Sequence, residues 1–183
     1  NTISDEVSLF ISADGTKGFY SYEEQPDRSQ PIRSFLYQFA VPSEITVANR
    51  STYLTGRVYD AQSGSSIGAS VDLYLTEPGT AAAQFASDPV TGKYFTVLTE
   101  GRQYTIYIKK PGYLFKSLQF LSDAATNLSP QIIDIALEPI SSGATTILNN
   151  LFFDTDSYVL RKESLLELNT LVEFMQVNPK RRI

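Results

Sequence analysis

The sequence predicts a mainly β chain: an antiparallel β-sandwich, preceded by three strands of a separate sheet and followed by a β-α unit. Three observations carry this. Apolar and polar residues alternate with a period of two over almost everything before residue 141, Gly- and Pro-containing turns interrupt that alternation at short intervals, and only the last stretch has helical spacing.

The first strands lie in VSLFISADGTKGFYSYEE, two alternating runs joined by a turn around Asp14-Gly15 and Lys17-Gly18. The polar stretch EEQPDRSQP is a loop, and RSFLYQFAV is a third strand. Three strands make a marginal sheet alone. Their aromatic residues (Phe10, Phe19, Tyr20, Phe35, Tyr37 and Phe39) are expected to dock this sheet on the sandwich or to leave it poorly ordered, because apolar surface is stabilised by leaving water at ~25 cal/mol per Å².

VPSEITVANRS reads as a linker into the second segment. In TYLTGRVYDAQSGSSIGASVDLYL, Gly56 interrupts a strand, the sign of a close backbone approach or a bend. Val71, Leu73 and Leu75 face one way, and Asp72, Tyr74 and Thr76 the other. Further turns fall at Asp88–Gly92, Glu100-Gly101 and Pro111-Gly112. The last suits a type II turn, since Pro presets φ and Gly accepts a positive one. Ile106 and Ile108 alternate with Tyr107 and Lys109, and IIDIALEPI supplies a closing strand. The expected core is Val58, Val71, Leu73, Ile106, Ile108 and Ile135, because a one-residue slip in register would turn that whole set outward.

Composition limits the chemistry. At 183 residues, with 42% hydrophobic and 19% charged residues, the chain can bury a sizeable core. No apolar run approaches the ~18 residues of a membrane-spanning helix. There is no Cys and no His, so thiol nucleophiles, zinc-thiolate sites and the usual general base are excluded. No cofactor is expected. Net charge is −5; residues 1–48 carry seven acidic and three basic side chains, and the remaining segments are nearly balanced. That distribution holds no basic stripe for nucleic acid. Lys180, Arg181 and Arg182 read as a solvated surface cluster.

The residues Gly56, Val58, Asp60, Gly64, Ile67-Gly68-Ala69, Val71, Asp88, Gly92, Tyr94, Gly101, Tyr104 and Gly112-Tyr113 recur at the spacing of a known family. Residues 49–140 thereby resemble the carboxypeptidase-regulatory-like domain, a transthyretin-like sandwich of about seven strands. Residues 1–48 resemble the last blade of a β-propeller together with a linker. ILNNLFFDTDSYVLRKESLLELNTLVEFMQVNPKRRI, within residues 141–183, resembles the opening of an OmpA-like peptidoglycan-binding domain. Modules in this order resemble large proteins of the Gram-negative outer membrane, usually lipid-anchored. One branch resembles the peptidoglycan-anchoring subunit of type IX secretion. The resemblance implies a fragment of a non-enzymatic periplasmic scaffold, with peptidoglycan and outer-membrane or secretion-system proteins as partners. In the OmpA-like unit a strand over 147–153 and a helix over 162–177 would pack together with a second strand beginning at Arg181. The stripe Leu165, Leu168, Val172 and Met175 would face that sheet.

Asp154 and Asp156 invite several readings. On an extended strand their carboxyls share a face ~7 Å apart, within the range used by inverting glycosidases. DxDS also offers oxygen ligands to calcium. The plainer reading is a polar connection with acidic groups near a helix N-terminus. The family resemblance instead implies that Thr155 and Asp156 form part of a pocket for the diaminopimelate side chain of peptidoglycan.

Two further groupings carry two readings each. Tyr74, Tyr94, Tyr107 and Tyr113 could make a carbohydrate-stacking face, against cross-strand pairs with solvated hydroxyls. Asp60, Asp72 and Asp88 could hold a cation, against Asp60 and Asp88 as turn residues bonding their own backbone. Lys109-Lys110 reads as charge protecting a sheet edge. The rival functions are a carbohydrate-binding module and an enzyme-accessory sandwich.

Overall fold

A computed structural model describes residues 6–12, 14–24, 29, 31–45, 50–76, 80–122, 130–162 and 164–179. Strands β1 (Glu6–Ile11), β2 (Lys17–Glu24) and β3 (Arg33–Ala40) form an antiparallel meander in that order. The β1–β2 turn is tied by Asp14, whose carboxylate accepts from the Ser12 hydroxyl and, at 3.0 Å, from the Thr16 amide. These bonds, the Ser12 hydroxyl first, lower the Asp14 pKa to about 2. β2 and β3 pair without interruption over eight residues, whereas β1 is bulged between Val7 and Leu9, with Ser8 at φ 68°.

One face of this sheet is an aromatic ladder. Tyr20 stacks on Tyr37 at 5.2 Å, and Tyr22 lies 6.4 Å from Phe35. The Phe39 ring occupies the space above Gly18, where a Cβ would come within 2.1 Å of it. Among the described residues the expected docking on the sandwich is not seen. Phe35 and Tyr37 remain 40% and 45% exposed, their rings covered only by the β2 tyrosines beside them in the same layer, and Leu36, on the opposite face, is 76% exposed.

Among the described residues eight strands form the sandwich: β4 (Ser51–Asp60), β5 (Ser70–Leu75), β6 (Ala81–Ala86), β7 (Lys93–Thr99), β8 (Gln103–Lys109), β9 (Lys116–Leu121), β10 (Gln131–Ile132) and β11 (Ile135–Leu137). One sheet runs β6-β5-β8-β9, all antiparallel. In the other, β4 pairs antiparallel with β7 and parallel with β10 and β11, so this layer is mixed and not wholly antiparallel as expected. All six expected core residues are at most 1% exposed, joined by Leu54, Leu98, Tyr94, Tyr104 and Leu137.

The closing strand is broken in two, and Gly56 explains the break. A Cβ on Gly56 would lie 1.9 Å from the Ile133 carbonyl oxygen, so the backbone between β10 and β11 presses on β4 where no side chain stands. The pressed segment keeps its polar groups paired. Ile133 N–H donates to the Thr55 carbonyl, the Tyr94 hydroxyl donates to the Ile133 carbonyl, and Asp134 accepts from the Arg57 amide. At the Pro111-Gly112 turn, Tyr113 N–H donates to the Lys110 carbonyl and Gly112 has φ 87°, as a type II turn requires.

Helix α1 (Ser164–Val177) covers the outer face of the β6-β5-β8-β9 sheet. It does so with an unexpected side. Ser164, Glu167 and Thr170 are buried, while Leu165 and Val172 of the apolar stripe are 51% and 53% exposed. At ~100° per residue the stripe lies roughly 120° around the helix from the buried face. Residues 147–152 form no strand, and Phe153 makes only a single bridge, to Leu160. A strand requires a neighbour, and the neighbour expected at Arg181 lies outside the described residues.

Candidate functional site

The connection between Phe153 and Arg161 is a closed loop. Phe153 and Leu160 are bridged, Arg161 N–H donates to the Phe152 carbonyl at 3.0 Å, and Ser157 N–H donates to the Asp154 carbonyl at 3.1 Å. Asp156 has φ 55°, in the left-handed region that Asp tolerates better than most residues. The backbone here is therefore not extended, and the shared-face spacing of Asp154 and Asp156 falls with it. Asp154 turns to Arg161 instead, accepting from Nε at 2.7 Å in an exposed ion pair. Thr155 and Asp156 stand exposed at the tip, beside Tyr158, which is 93% exposed. Among the described residues no three carboxylates gather as a metal site.

The loop's base is anchored firmly. The Ser164 hydroxyl, at the first position of α1, accepts from Phe152 N–H at 2.7 Å and donates back to the Phe152 carbonyl at 3.1 Å. Three residues on, Glu167 reaches into the sandwich. Ser117 of β9 donates to its Oε1 at 2.8 Å, and the Asn150 amide donates to its Oε2 at 2.7 Å. All three side chains are buried, and Asn150 Oδ1 has no partner. Tyr107 of β8 lies against the same cluster; burial, then the charge of Glu167, push its hydroxyl pKa upward.

A second set of contacts fixes the other end of α1. Lys109 of β8 bridges Asp72 at 2.6 Å and Glu173 of the helix at 3.0 Å. Burial opposes the Lys109 charge, yet its bonds to Asp72 and Glu173 outweigh burial and raise its pKa. Phe115 packs on Phe174 with ring centres 5.7 Å apart. Beside them is a crevice of about 200 Å³ lined by Pro111, Tyr113, Phe115, Phe174 and Val177.

The remaining candidates are dispersed. Tyr74 and Tyr107 pair edge to face at 5.8 Å beneath α1, Tyr94 is a core residue, and Tyr113 donates to Asp60 at 2.8 Å, so the four make no common platform. Their expected solvated hydroxyls are also absent at Tyr94 and Tyr113, which take protein acceptors. Asp60 accepts from the Gln62 and Ser63 amides, and Asp88 from Val90 and Thr91, as turn residues do. Asp72 is instead buried beneath α1. Lys109-Lys110 guards no edge: β8 is an interior strand, Lys109 is the ion-pair bridge, and Lys110 donates to the Gly68 carbonyl at 2.7 Å.

Glu167, Ser117 and Asn150 were missed from sequence. The available signal was an acidic residue on a helix whose apolar stripe points elsewhere, preceded by paired asparagines in LNN.

No protein-family model matches the chain, and no curated protein matches it. Among solved structures, a crystal structure of S.CueP aligns with TM-score 0.39 and 12% identity over 73% of this chain and 76% of that one. The Streptococcal ancillary pilin aligns with TM-score 0.37 and 12% identity, over 67% of this chain and 45% of the pilin. Overlaps this loose carry no functional argument. The described residues form a β-rich fold with one C-terminal helix, and no helix among them is long and apolar enough to cross a membrane.

Proposed function

We propose that this chain belongs to a non-enzymatic periplasmic scaffold that links an outer-membrane-associated assembly to peptidoglycan. In this reading the first sheet is a propeller blade, and the sandwich is a carboxypeptidase-regulatory-like spacer and protein-docking module. The β-α element begins an OmpA-like domain in which Thr155 and Asp156 contact the peptide of peptidoglycan. The reading places it in the periplasm.

One observation supports the reading above the others: α1 is held to the sandwich by its polar side, through Glu167, Ser117, Asn150 and the Lys109 bridge. That leaves Leu165 and Val172 outward, available to the rest of a βαβ unit. A spacer joined in this way transmits position, because a buried and hydrogen-bonded junction admits few geometries. The tip of the loop meanwhile stays accessible for ligand.

Retention on purified sacculi tests it. A longer protein that includes a complete OmpA-like domain should be retained, and Asp156→Ala should weaken retention by about tenfold, the loss of one charge-assisted contact of ~1.4 kcal/mol. Undiminished retention of the Asp156→Ala protein would remove the assigned role. Retention of residues 50–140 on soluble glycans would favour the carbohydrate-binding reading instead.

A further inference from the structure

The two edges of the first sheet are built differently. β1 carries a bulge at Val7 and Leu9, a device that bends an edge away from further pairing. β3 has no such device. It runs regularly along β2 for eight residues, holds no Pro or Lys, and has one charge, Arg33, at its end. It is exposed along nearly its whole length.

The ladder shows which backbone groups are available. Val41 N–H donates to the Thr16 carbonyl across to the β2 side. Alternation along an antiparallel strand then turns the odd residues of β3 toward β2 and the even ones outward. Ser34, Leu36, Gln38 and Ala40 thus present their N–H and C=O groups at the open edge.

We propose that this edge pairs antiparallel with β3 of a second copy of the chain, about a two-fold axis through Tyr37. The register is self-complementary. Ser34 would face Ala40 of the other copy and Leu36 would face Gln38, both as hydrogen-bonded pairs, giving about eight new backbone bonds. Tyr37 faces its own equivalent, and Phe35 faces Phe39, so the aromatic ladder continues across the junction on one face. The two Arg33 charges fall at opposite ends, and no like charges meet. A strand of this length spans ~26 Å, so each copy covers a few hundred Å², at the low end of specific interfaces. The dimer is therefore reversible and concentration-dependent. The inference concerns the sheet's edge and does not depend on what covers its faces.

Sedimentation equilibrium over a range of concentrations, with two variants, decides it. The chain should move from the mass of one copy to that of two. Leu36→Pro removes an outward N–H without touching a bond to β2, and Leu36→Lys places charges near each other across the axis at a side chain already 76% exposed. Each should weaken association by about tenfold or more. Because the chain has no Cys, Tyr37→Cys should cross-link to itself under mild oxidation, while Val97→Cys, more exposed still on β7, should not. A single-copy mass throughout, association unchanged by either Leu36 variant, or equal cross-linking at 37 and 97 would each overturn the proposal.

Discussion

Glu167 of α1 and Ser117 of β9, fifty residues apart in sequence, share a hydrogen bond of 2.8 Å in the buried seam between helix and sandwich. The carboxylate's other oxygen is held by Asn150 at 2.7 Å. Truncating Glu167 to Ala leaves two buried donors unpaired. Glu167→Ala should therefore lower stability by about 2 kcal/mol in urea unfolding, with raised hydrogen exchange across 164–177. Leu165→Ala, on the exposed stripe, should change stability by less than ~0.5 kcal/mol.

Lys109 is the cation that makes burial of Asp72 tolerable, since Asp72 is 3% exposed and lies 2.6 Å from the ammonium. Gln84 donates to the same carboxylate but carries no charge. Lys109→Met should cost about 3 kcal/mol, because it strands a buried carboxylate. Pairing it with Asp72→Leu should recover most of that loss, measured by the same unfolding curves.

The core of the sandwich was legible from alternation alone. Val71 and Leu73 opposite Ile108 and Ile106 form one apolar layer, and a period of two states that directly. The outer face of those strands was not. Asp72, Tyr107 and Ser117 look like solvent-facing residues until a helix covers them, and that helix docks by Ser164, Glu167 and Thr170. Amphipathic reasoning chose the Leu165 stripe because it measures apolar spacing and cannot register a polar seam. At the loop, the two-residue spacing of Asp154 and Asp156 assumed extended backbone. The positive φ of Asp156 and the Arg161 ion pair depend on local closure that spacing does not encode.

Gly56 should accept no side chain. A Cβ there would come 1.9 Å from the Ile133 oxygen, which is backbone and cannot rotate away. Gly56→Ala should cost about 3 kcal/mol by forcing β10 and β11 off β4. Loss of hydrogen-exchange protection at the Ile133 amide, which bonds the Thr55 carbonyl, would register the displacement.

Acid sensitivity follows from three turn carboxylates. Asp14 is lowered to about 2 by the Ser12 hydroxyl and the Thr16 amide, Asp60 is lowered by the Ser63 amide and then Tyr113, and Asp88 by Thr91. Each folded pKa lies below its unfolded value near 3.8. Their stabilising contribution is therefore complete above the unfolded value and is lost as pH falls through the folded one. Stability should decline from about pH 4 toward pH 2, read as a falling urea midpoint as the pH is lowered. Asp60→Asn and Asp88→Asn should flatten that decline.

Joined through the Glu167 seam, the sandwich and the candidate loop should move as one rigid connector. Distance measurement between spin labels at Lys93→Cys on β7 and Thr155→Cys at the loop tip tests it most directly, since the chain has no other cysteine. A single narrow distribution that broadens when Glu167→Ala is added is the predicted result. A distribution already broad with Glu167 in place, or one unchanged by its loss, would contradict the claim.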